Sequence, residues 1–90
     1  MAWRIEFERA AARELEKLER KDARRILRFL TERVAKLEDP RGIGEALRGS
    51  ELGDFWKYRV GDFRVIVSIE DARLLILVVR VGNRREVYKR

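Results

Sequence analysis

The amino-acid sequence predicts a single α+β domain over residues 1–90, with two N-terminal helices packed on a mostly antiparallel, four-stranded sheet. Three observations favour this fold class. The chain has 90 residues, the length of one small domain. Apolar residues recur with helical spacing between residues 9 and 37 and with strand-like alternation on either side of that region. The later strand segments follow one another through short turns, which predicts hairpins and the order β-α-α-β-β-β.

The first predicted strand is the amino-terminal segment from Met1 to Phe7. Trp3, Ile5 and Phe7 alternate with two charged residues, as expected for a half-buried strand. This opening segment lacks the apolar stretch of a secretory signal. The longest uninterrupted apolar run, over residues 74–79, is far shorter than the roughly 20 residues that span a bilayer. We therefore expect a soluble, cytoplasmic protein.

Two amphipathic helices are predicted next. Residues 9 to about 20 are strong helix formers, with Ala11, Leu15 and Leu18 on one stripe. Asp22 is placed to cap a second helix. That helix is expected to end at Asp39, because the following proline disfavours helical geometry in the residue before it. The apolar stripe of the second helix consists of Ala23, Ile26, Leu27, Leu30, Val34 and Leu37.

A loop and three strands complete the predicted fold. Residues 41–54 contain four of the six glycines and little periodicity, which favours a functional loop. Strands are predicted at 55–60, 63–69 and 73–81, with tight turns at 61–62 and 70–72. The continuous apolar run of the last strand predicts a central strand that is buried on both faces. A short basic tail, residues 82–90, follows.

Composition excludes several kinds of chemistry. The chain has no cysteine and no histidine, so it lacks thiolate nucleophiles and the commonest general base and metal ligand. It also lacks a phosphate-binding glycine loop and metal-ligand spacing, and we expect no metal and no other cofactor. A net charge of +6 favours a polyanionic partner, with nucleic acid ahead of an anionic membrane.

The basic residues fall into two groups. Those in the predicted helices alternate with glutamates, as on a solvated helix surface. Those in the carboxyl half have few acidic neighbours, so their charge is less compensated. The second group consists of Arg48, Lys57, Arg59, Arg64, Arg80, Arg84, Arg85, Lys89 and Arg90.

Four of these cations are predicted to converge at one end of the sheet. Lys57 and Arg59 are two apart in one strand and share a face. Arg64 follows across the tight turn, and Arg84 joins them if the last strand pairs with this hairpin. A bound phosphate would offset their repulsion, since arginine binds phosphate oxygens bidentately. Tyr88 could stack on a base or bind a ribose hydroxyl. The alternative is a set of scattered surface charges.

Three segments together resemble the RelE family of bacterial and archaeal toxins. They are LRG at 47–49, FWKYRVGDFRVI at 55–66 and VGNRREVY at 81–88. The resemblance covers essentially the whole chain, including the AWRIEF opening strand and the two helices. It implies a compact fold like that of microbial ribonucleases and an mRNA interferase activity that cleaves mRNA in the ribosomal A site and inhibits translation. It also implies a cognate, RelB-like antitoxin.

The resemblance implies the site residues by position. Lys57, Arg59, Arg64, Arg84 and Tyr88 match the family's catalytic positions. The implied reaction needs no metal: a ribose 2′-hydroxyl attacks the adjacent phosphodiester and leaves a 2′,3′-cyclic phosphate and a 5′-hydroxyl. Further RNA-binding residues are expected to be Arg48, Arg85, Lys89 and Arg90.

Two positions depart from the family pattern. Arg59 replaces a lysine that is a proposed general base in the best-studied member, and arginine can hardly accept a proton. Asn83 replaces a histidine found in many relatives. Lys57, crowded by other cations, is then the candidate to take the 2′ proton. Arg64 is expected to stabilise charge on the phosphoryl oxygens, and Arg84 to assist the leaving oxygen.

Two other functions remain open from the sequence. ParE-like toxins share the fold and poison DNA gyrase, but they generally lack the cluster of basic residues with a tyrosine, so the cluster favours the ribonuclease. A non-catalytic module that binds RNA or the ribosome would need only the positive charge and the aromatic residues.

Overall fold

The computed structural model describes residues 2–47 and 55–83 of the chain. Five strands form one sheet in the order β1-β5-β4-β3-β2, in which β1 and β5 are parallel and the other pairs are antiparallel. The predicted α+β class, with two helices on a mostly antiparallel sheet, is confirmed. The elements are β1 (Arg4–Phe7), α1 (Arg9–Glu16), α2 (Arg20–Arg28), β2 (Glu45–Ala46), β3 (Phe55–Val60), β4 (Phe63–Glu70) and β5 (Leu75–Asn83).

The strand that the sequence did not predict is β2. It lies within the expected 41–54 loop and pairs with β3, Glu45 opposite Lys57 and Ala46 opposite Trp56. Both of its residues are exposed, so it carries no apolar alternation that could reveal it. Gly44 lets the chain before β2 lie close to Tyr58 of β3, because a Cβ on residue 44 would lie 2.9 Å from a ring carbon of Tyr58.

The helices are shorter than predicted. The first ends at Glu16, and α2 begins at Arg20 with Glu19 at its N-cap, so Asp22 lies in the first turn instead of capping the helix. An acidic residue there still interacts favourably with the helix dipole. After α2 the chain forms a π-helical turn over Phe29–Arg33 and then a 3-10 turn over Val34–Lys36. The helical conformation therefore ends before Asp39, the residue that precedes the proline.

The core lies between the helices and one face of the sheet. It is built from fully or largely buried residues of both layers, namely Trp3, Ala11, Ile26, Leu30, Val34, Ala35, Tyr58, Val60, Val65, Val67, Ile76, Val78 and Val81. Strand β5 lies between β1 and β4, as expected of a central strand. A register shift opposite Ile66 and Val67 adds one residue to β5, so its inward positions pass from Val78 to Val81.

Strand β5 begins and ends two residues later than predicted. Asp71–Arg73 form a 3-10 turn, and Leu74 adopts a left-handed conformation with φ 48°. These residues therefore make the connection from β4, not the start of the strand. On the face away from the helices, Leu47 and Ile66 form a second, smaller apolar cluster.

Tyr58 anchors the segment before β2 to the sheet. Its hydroxyl donates a 2.6 Å hydrogen bond to the carbonyl of Pro40, and the side chain is 1% exposed. The Phe29 ring packs against Tyr58 edge to face. Burial raises the pKa of Tyr58 to about 12. The neutral hydroxyl is therefore the form that the fold retains.

Arg41 ties the same segment to the turn between β4 and β5. Its guanidinium donates to both carboxylate oxygens of Asp71, at 2.7 and 3.1 Å, and to Asp39 at 3.3 Å. The hydrogen bond from Arg41 lowers the pKa of the Asp71 carboxyl, and the pKa of Arg41 is raised by the same contact. The Arg41 guanidinium also lies over the Trp56 ring.

We expect Tyr58→Phe to lower the free energy of unfolding by about 1–2 kcal/mol near neutrality, because the buried Pro40 carbonyl loses its donor. The folded-state pKa of Tyr58 lies above its ordinary value of 10, so this advantage is present below pH 10 and is lost as the pH rises towards 12. Urea unfolding of both proteins across this range measures the difference. A gap that stays constant above pH 10 would contradict the account.

Candidate functional site

The open face of the β3–β4 hairpin carries the predicted cations. Tyr58 and Val65 point into the core, so Lys57, Arg59 and Arg64 lie on the opposite face. Arg59 and Arg64 are direct cross-strand partners. The two-residue turn between the strands depends on Gly61, whose φ of 60° favours glycine. The hairpin therefore places Arg59 and Arg64 at neighbouring positions on the same face of the sheet.

These cations line one cavity of about 250 Å³. Its walls are Lys57, Arg59 and Arg64 from the hairpin, with Ile43 and Glu45 from the segment that Tyr58 and Arg41 anchor. The structure thus brings together three of the five residues at the predicted catalytic positions. It also adds the carboxylate of Glu45, which was not among the predicted site residues.

Arg64 is the buried cation of the cavity, with 5% of its surface exposed. Its guanidinium donates a 3.2 Å hydrogen bond to the carbonyl of Phe63. Within residues 2–47 and 55–83, no carboxylate forms an ion pair with Arg64. A buried charge without a counter-charge is costly, so this position favours an anionic ligand.

Lys57 and Glu45 face each other across the β2–β3 pair. The Lys57 ammonium lies 3.4 Å from a Glu45 carboxylate oxygen, and their side chains are 25% and 65% exposed. Glu45 lies in a segment without periodicity, and only the pairing of β2 with β3 brings it to the cavity. No local pattern in the sequence marks Glu45, because β2 has only two residues and both are exposed.

Arg59 is the exposed cation of the cavity, and in the described part of the chain no carboxylate pairs with it. Like charges directly across a strand pair are destabilising, so an anion between Arg59 and Arg64 would relieve their repulsion. Three cations and one carboxylate around a single cavity can bind phosphate oxygens and accept a hydroxyl proton.

The remaining predicted site residues lie outside the described residues. These are Arg48, Arg84, Arg85, Tyr88, Lys89 and Arg90. Strand β5 ends at Asn83, and its Gly82 is the partner of Arg64 in the β4–β5 register. The predicted pairing of the last strand with the hairpin is therefore observed.

Glu14 of α1 holds the last part of β5, a role that the sequence did not reveal. Its carboxylate accepts hydrogen bonds from the Val81 amide at 2.7 Å and from Arg80 Nε at 3.1 Å. Strand β1 pairs with β5 only as far as Val78. Beyond that point Glu14 accepts the hydrogen bond from the backbone of β5. Arg80 is accordingly a structural cation, paired with Glu14.

The described residues include no cluster of three side chains suited to a metal ion, and their helices are too short and too polar to cross a membrane. These two findings concern residues 2–47 and 55–83 alone.

Comparison with known proteins identifies the family. Toxin RelG of Mycobacterium tuberculosis is 27% identical over 90 residues, which cover all of both chains. The toxin-antitoxin complex RelBE2 of the same organism contains a chain with a TM-score of 0.84 and 24% identity, covering 96% of this chain and 95% of that one. The intact RelBE complex of E. coli gives a TM-score of 0.73 and 25% identity, with 91% and 96% covered.

A family model described as the ParE toxin of type II toxin-antitoxin systems, parDE, matches residues 5–88. This match spans nearly the whole chain, including the hairpin and both helices. The chain therefore belongs to the ParE toxin family of type II toxin-antitoxin systems, within the RelE/ParE superfamily.

Proposed function

We propose that this toxin is an endoribonuclease that cleaves mRNA on the ribosome at the open face of the β3–β4 hairpin. The observation that carries the proposal is the buried Arg64, which has no carboxylate partner among the described residues and lies beside Arg59 and Lys57. The likeness to RelE toxins supports it.

Arg64 and Arg59 suit the phosphodiester. Two cross-strand guanidinium groups can donate to the non-bridging oxygens of one phosphate, and their planar forks favour bidentate contacts. Charge on these oxygens grows in the transition state, where preorganised donors contribute most. Arg84 is proposed to assist the leaving oxygen, and Tyr88 to stack on a base.

The reaction joins the ribose 2′-oxygen to the adjacent phosphorus and breaks the bond from phosphorus to the 5′-oxygen. The 2′ proton passes to a group on the protein, and the departing 5′-oxygen takes up a proton. The products are a 2′,3′-cyclic phosphate and a 5′-hydroxyl. This sequence of bond changes needs no metal ion.

Glu45 is the proton acceptor that the geometry favours. Of the described residues, it is the one that brings a carboxylate to the cavity lining, and Lys57 pairs with it at 3.4 Å. The sequence alone favoured Lys57 for this role, but an ammonium paired with a carboxylate is stabilised in its protonated form. Lys57 is therefore better suited to holding Glu45 and binding phosphate.

The ribosome is proposed to supply alignment of the RNA. Glu45 is largely exposed, and the chain contains no histidine, so the acid–base groups are weak. Holding the 2′-hydroxyl in line with the phosphodiester can account for much of the barrier.

The proposed protein partner is a cognate, RelB-like antitoxin. The RelBE2 and E. coli RelBE structures are toxin-antitoxin complexes with this fold. An acidic or amphipathic segment would complement the net charge of +6.

A ParE-like action on DNA gyrase is the second candidate, because the matching family model is described by the ParE toxin. The cation cavity favours the ribonuclease, since it presents phosphate-binding side chains next to a proton acceptor. A gyrase cleavage assay separates the two.

We expect the protein to cut mRNA bound to programmed ribosomes and to leave naked mRNA largely intact, because positioning must come from the ribosome. Mapping of cleaved ends should find 2′,3′-cyclic phosphates. Equal cutting of naked and ribosome-bound mRNA would contradict ribosome dependence. Trapped gyrase–DNA complexes without mRNA cleavage would favour the ParE-like function.

We expect Glu45→Gln to slow single-turnover cleavage on programmed ribosomes by about 100-fold, the scale of lost general-base catalysis, with little change in RNA affinity. Lys57→Met should weaken RNA affinity as well as the rate. Glu38→Gln is the matched control, because Glu38 is exposed and is not part of the cavity lining. If Glu45→Gln cuts at the parental rate, Glu45 is not the proton acceptor.

A further inference from the structure

A second and larger cavity lies beside α2, on the other side of the hairpin turn. We call it the α2 groove. It has a volume of about 500 Å³, and its cationic lining consists of Lys21, Arg24, Arg25, Arg28, Arg33 and Arg59. Among the described residues, Glu32 is the one carboxylate in the lining. The sequence predicted a solvated surface for the helix cations. In the structure the five lysine and arginine residues from the helical region line this cavity together with Arg59 of β3.

Few of these charges are compensated. The Arg28–Glu32 and Lys21–Glu19 pairs are long, at 3.9 Å, and their side chains are more than half exposed. Exposed pairs of this kind contribute little. In the described ranges, Arg24 and Arg25 form no ion pair.

Two contacts give the α2 groove a defined wall. The Arg25 guanidinium lies over the hairpin turn, where a Cβ on Gly61 would come within 2.8 Å of it. Arg33 lies over the Phe29 ring at 5.8 Å from the centroid. These arginines are thus held at the surface with donors available to a ligand.

Arg59 belongs to both cavities. It lines the 250 Å³ candidate site together with Arg64, and it lines the α2 groove together with Arg25. A polyanion bound at the candidate site can therefore continue past the hairpin turn without leaving cationic surface.

The chemistry of the lining favours a nucleic acid over a protein segment. Within residues 2–47 and 55–83, the large apolar side chains that line the α2 groove are those of the half-buried Phe29 and the buried Val60. The buried core of a protein–protein interface is more apolar than the rest of the surface, whereas nucleic-acid interfaces are strongly positive. An amphipathic helix would find little apolar surface here.

We propose that the α2 groove binds the sugar–phosphate backbone of RNA, as a second contact continuous with the candidate site. The proposal rests on the proposed function in taking RNA as the partner. The RNA comes either from the mRNA strand that flanks the cleaved bond or from the ribosome, and the phosphate chemistry is the same for both.

The test compares two double variants that each remove two positive charges. Arg24→Gln/Arg28→Gln changes exposed groove arginines four residues apart, and Arg9→Gln/Arg13→Gln makes the same change on exposed positions of α1, outside the α2 groove. Thermal unfolding establishes that both are folded. The readout is binding, measured with a short 2′-O-methyl RNA and with ribosomes at several salt concentrations.

We expect the groove variant to bind on the order of tenfold more weakly, with the slope of log affinity against log salt reduced by about 1.4 for two lost single-strand contacts. The control variant should retain most of its affinity. Weaker binding to the short RNA assigns the contact to mRNA, and weaker binding to ribosomes alone assigns it to ribosomal RNA.

Three results would overturn the proposal. The first is unchanged RNA and ribosome affinity of the groove variant, and the second is an equal loss of affinity in the control variant. The third is a groove variant that binds RNA normally but no longer binds the antitoxin, which would show that the α2 groove is an antitoxin-binding surface. Wild-type protein that binds neither RNA nor ribosomes would overturn it too. Because 2′-O-methyl RNA measures binding without cleavage, a protein that binds through the α2 groove but never cuts would contradict only the proposed function.

Discussion

The burial of Arg64 without a carboxylate partner in the described chain is the constraint on which the site depends. The β3–β4 pairing fixes the position of Arg64, because the same register that puts Val65 into the core sets Arg64 opposite Arg59 on the other face. A guanidinium taken out of water needs hydrogen bonds and a counter-charge. One carbonyl meets only part of that need, so Arg64 is complementary to an anion that residues 2–47 and 55–83 do not provide.

Core and site share one strand. Tyr58 lies between Lys57 and Arg59, and its buried hydrogen bond to Pro40 fixes the segment that leads to β2. That segment brings Glu45 to Lys57. The apolar face of β3 therefore positions a carboxylate on its polar face, and a loss of packing at Tyr58 would be felt as a loss of geometry in the cavity.

The features of the site that were predicted correctly are those that the spacing of apolar residues within one segment encodes. Alternation revealed the hairpin, and with it the shared face of Lys57, Arg59 and Arg64. The pattern could not reveal Glu45, because β2 is two exposed residues long and exists only through its pairing with β3. Nor could it show that Arg25 of α2 lies beside Gly61 of the hairpin turn and lines the α2 groove together with Arg59, since α2 and the hairpin are distant in sequence. The roles of Arg84 and Tyr88, taken from the family resemblance, stay predictions.

The most direct measurement is the free energy of urea unfolding of Arg64→Met, read together with its cleavage rate on programmed ribosomes. Methionine keeps an unbranched stem and removes the buried charge. If Arg64 is held for the phosphate, the variant should be at least as stable as the parent while its cleavage rate falls by about 10² to 10³. A loss of more than about 1 kcal/mol in stability would show that Arg64 serves the fold instead, and cleavage at the parental rate would show that Arg64 does not stabilise the transition state.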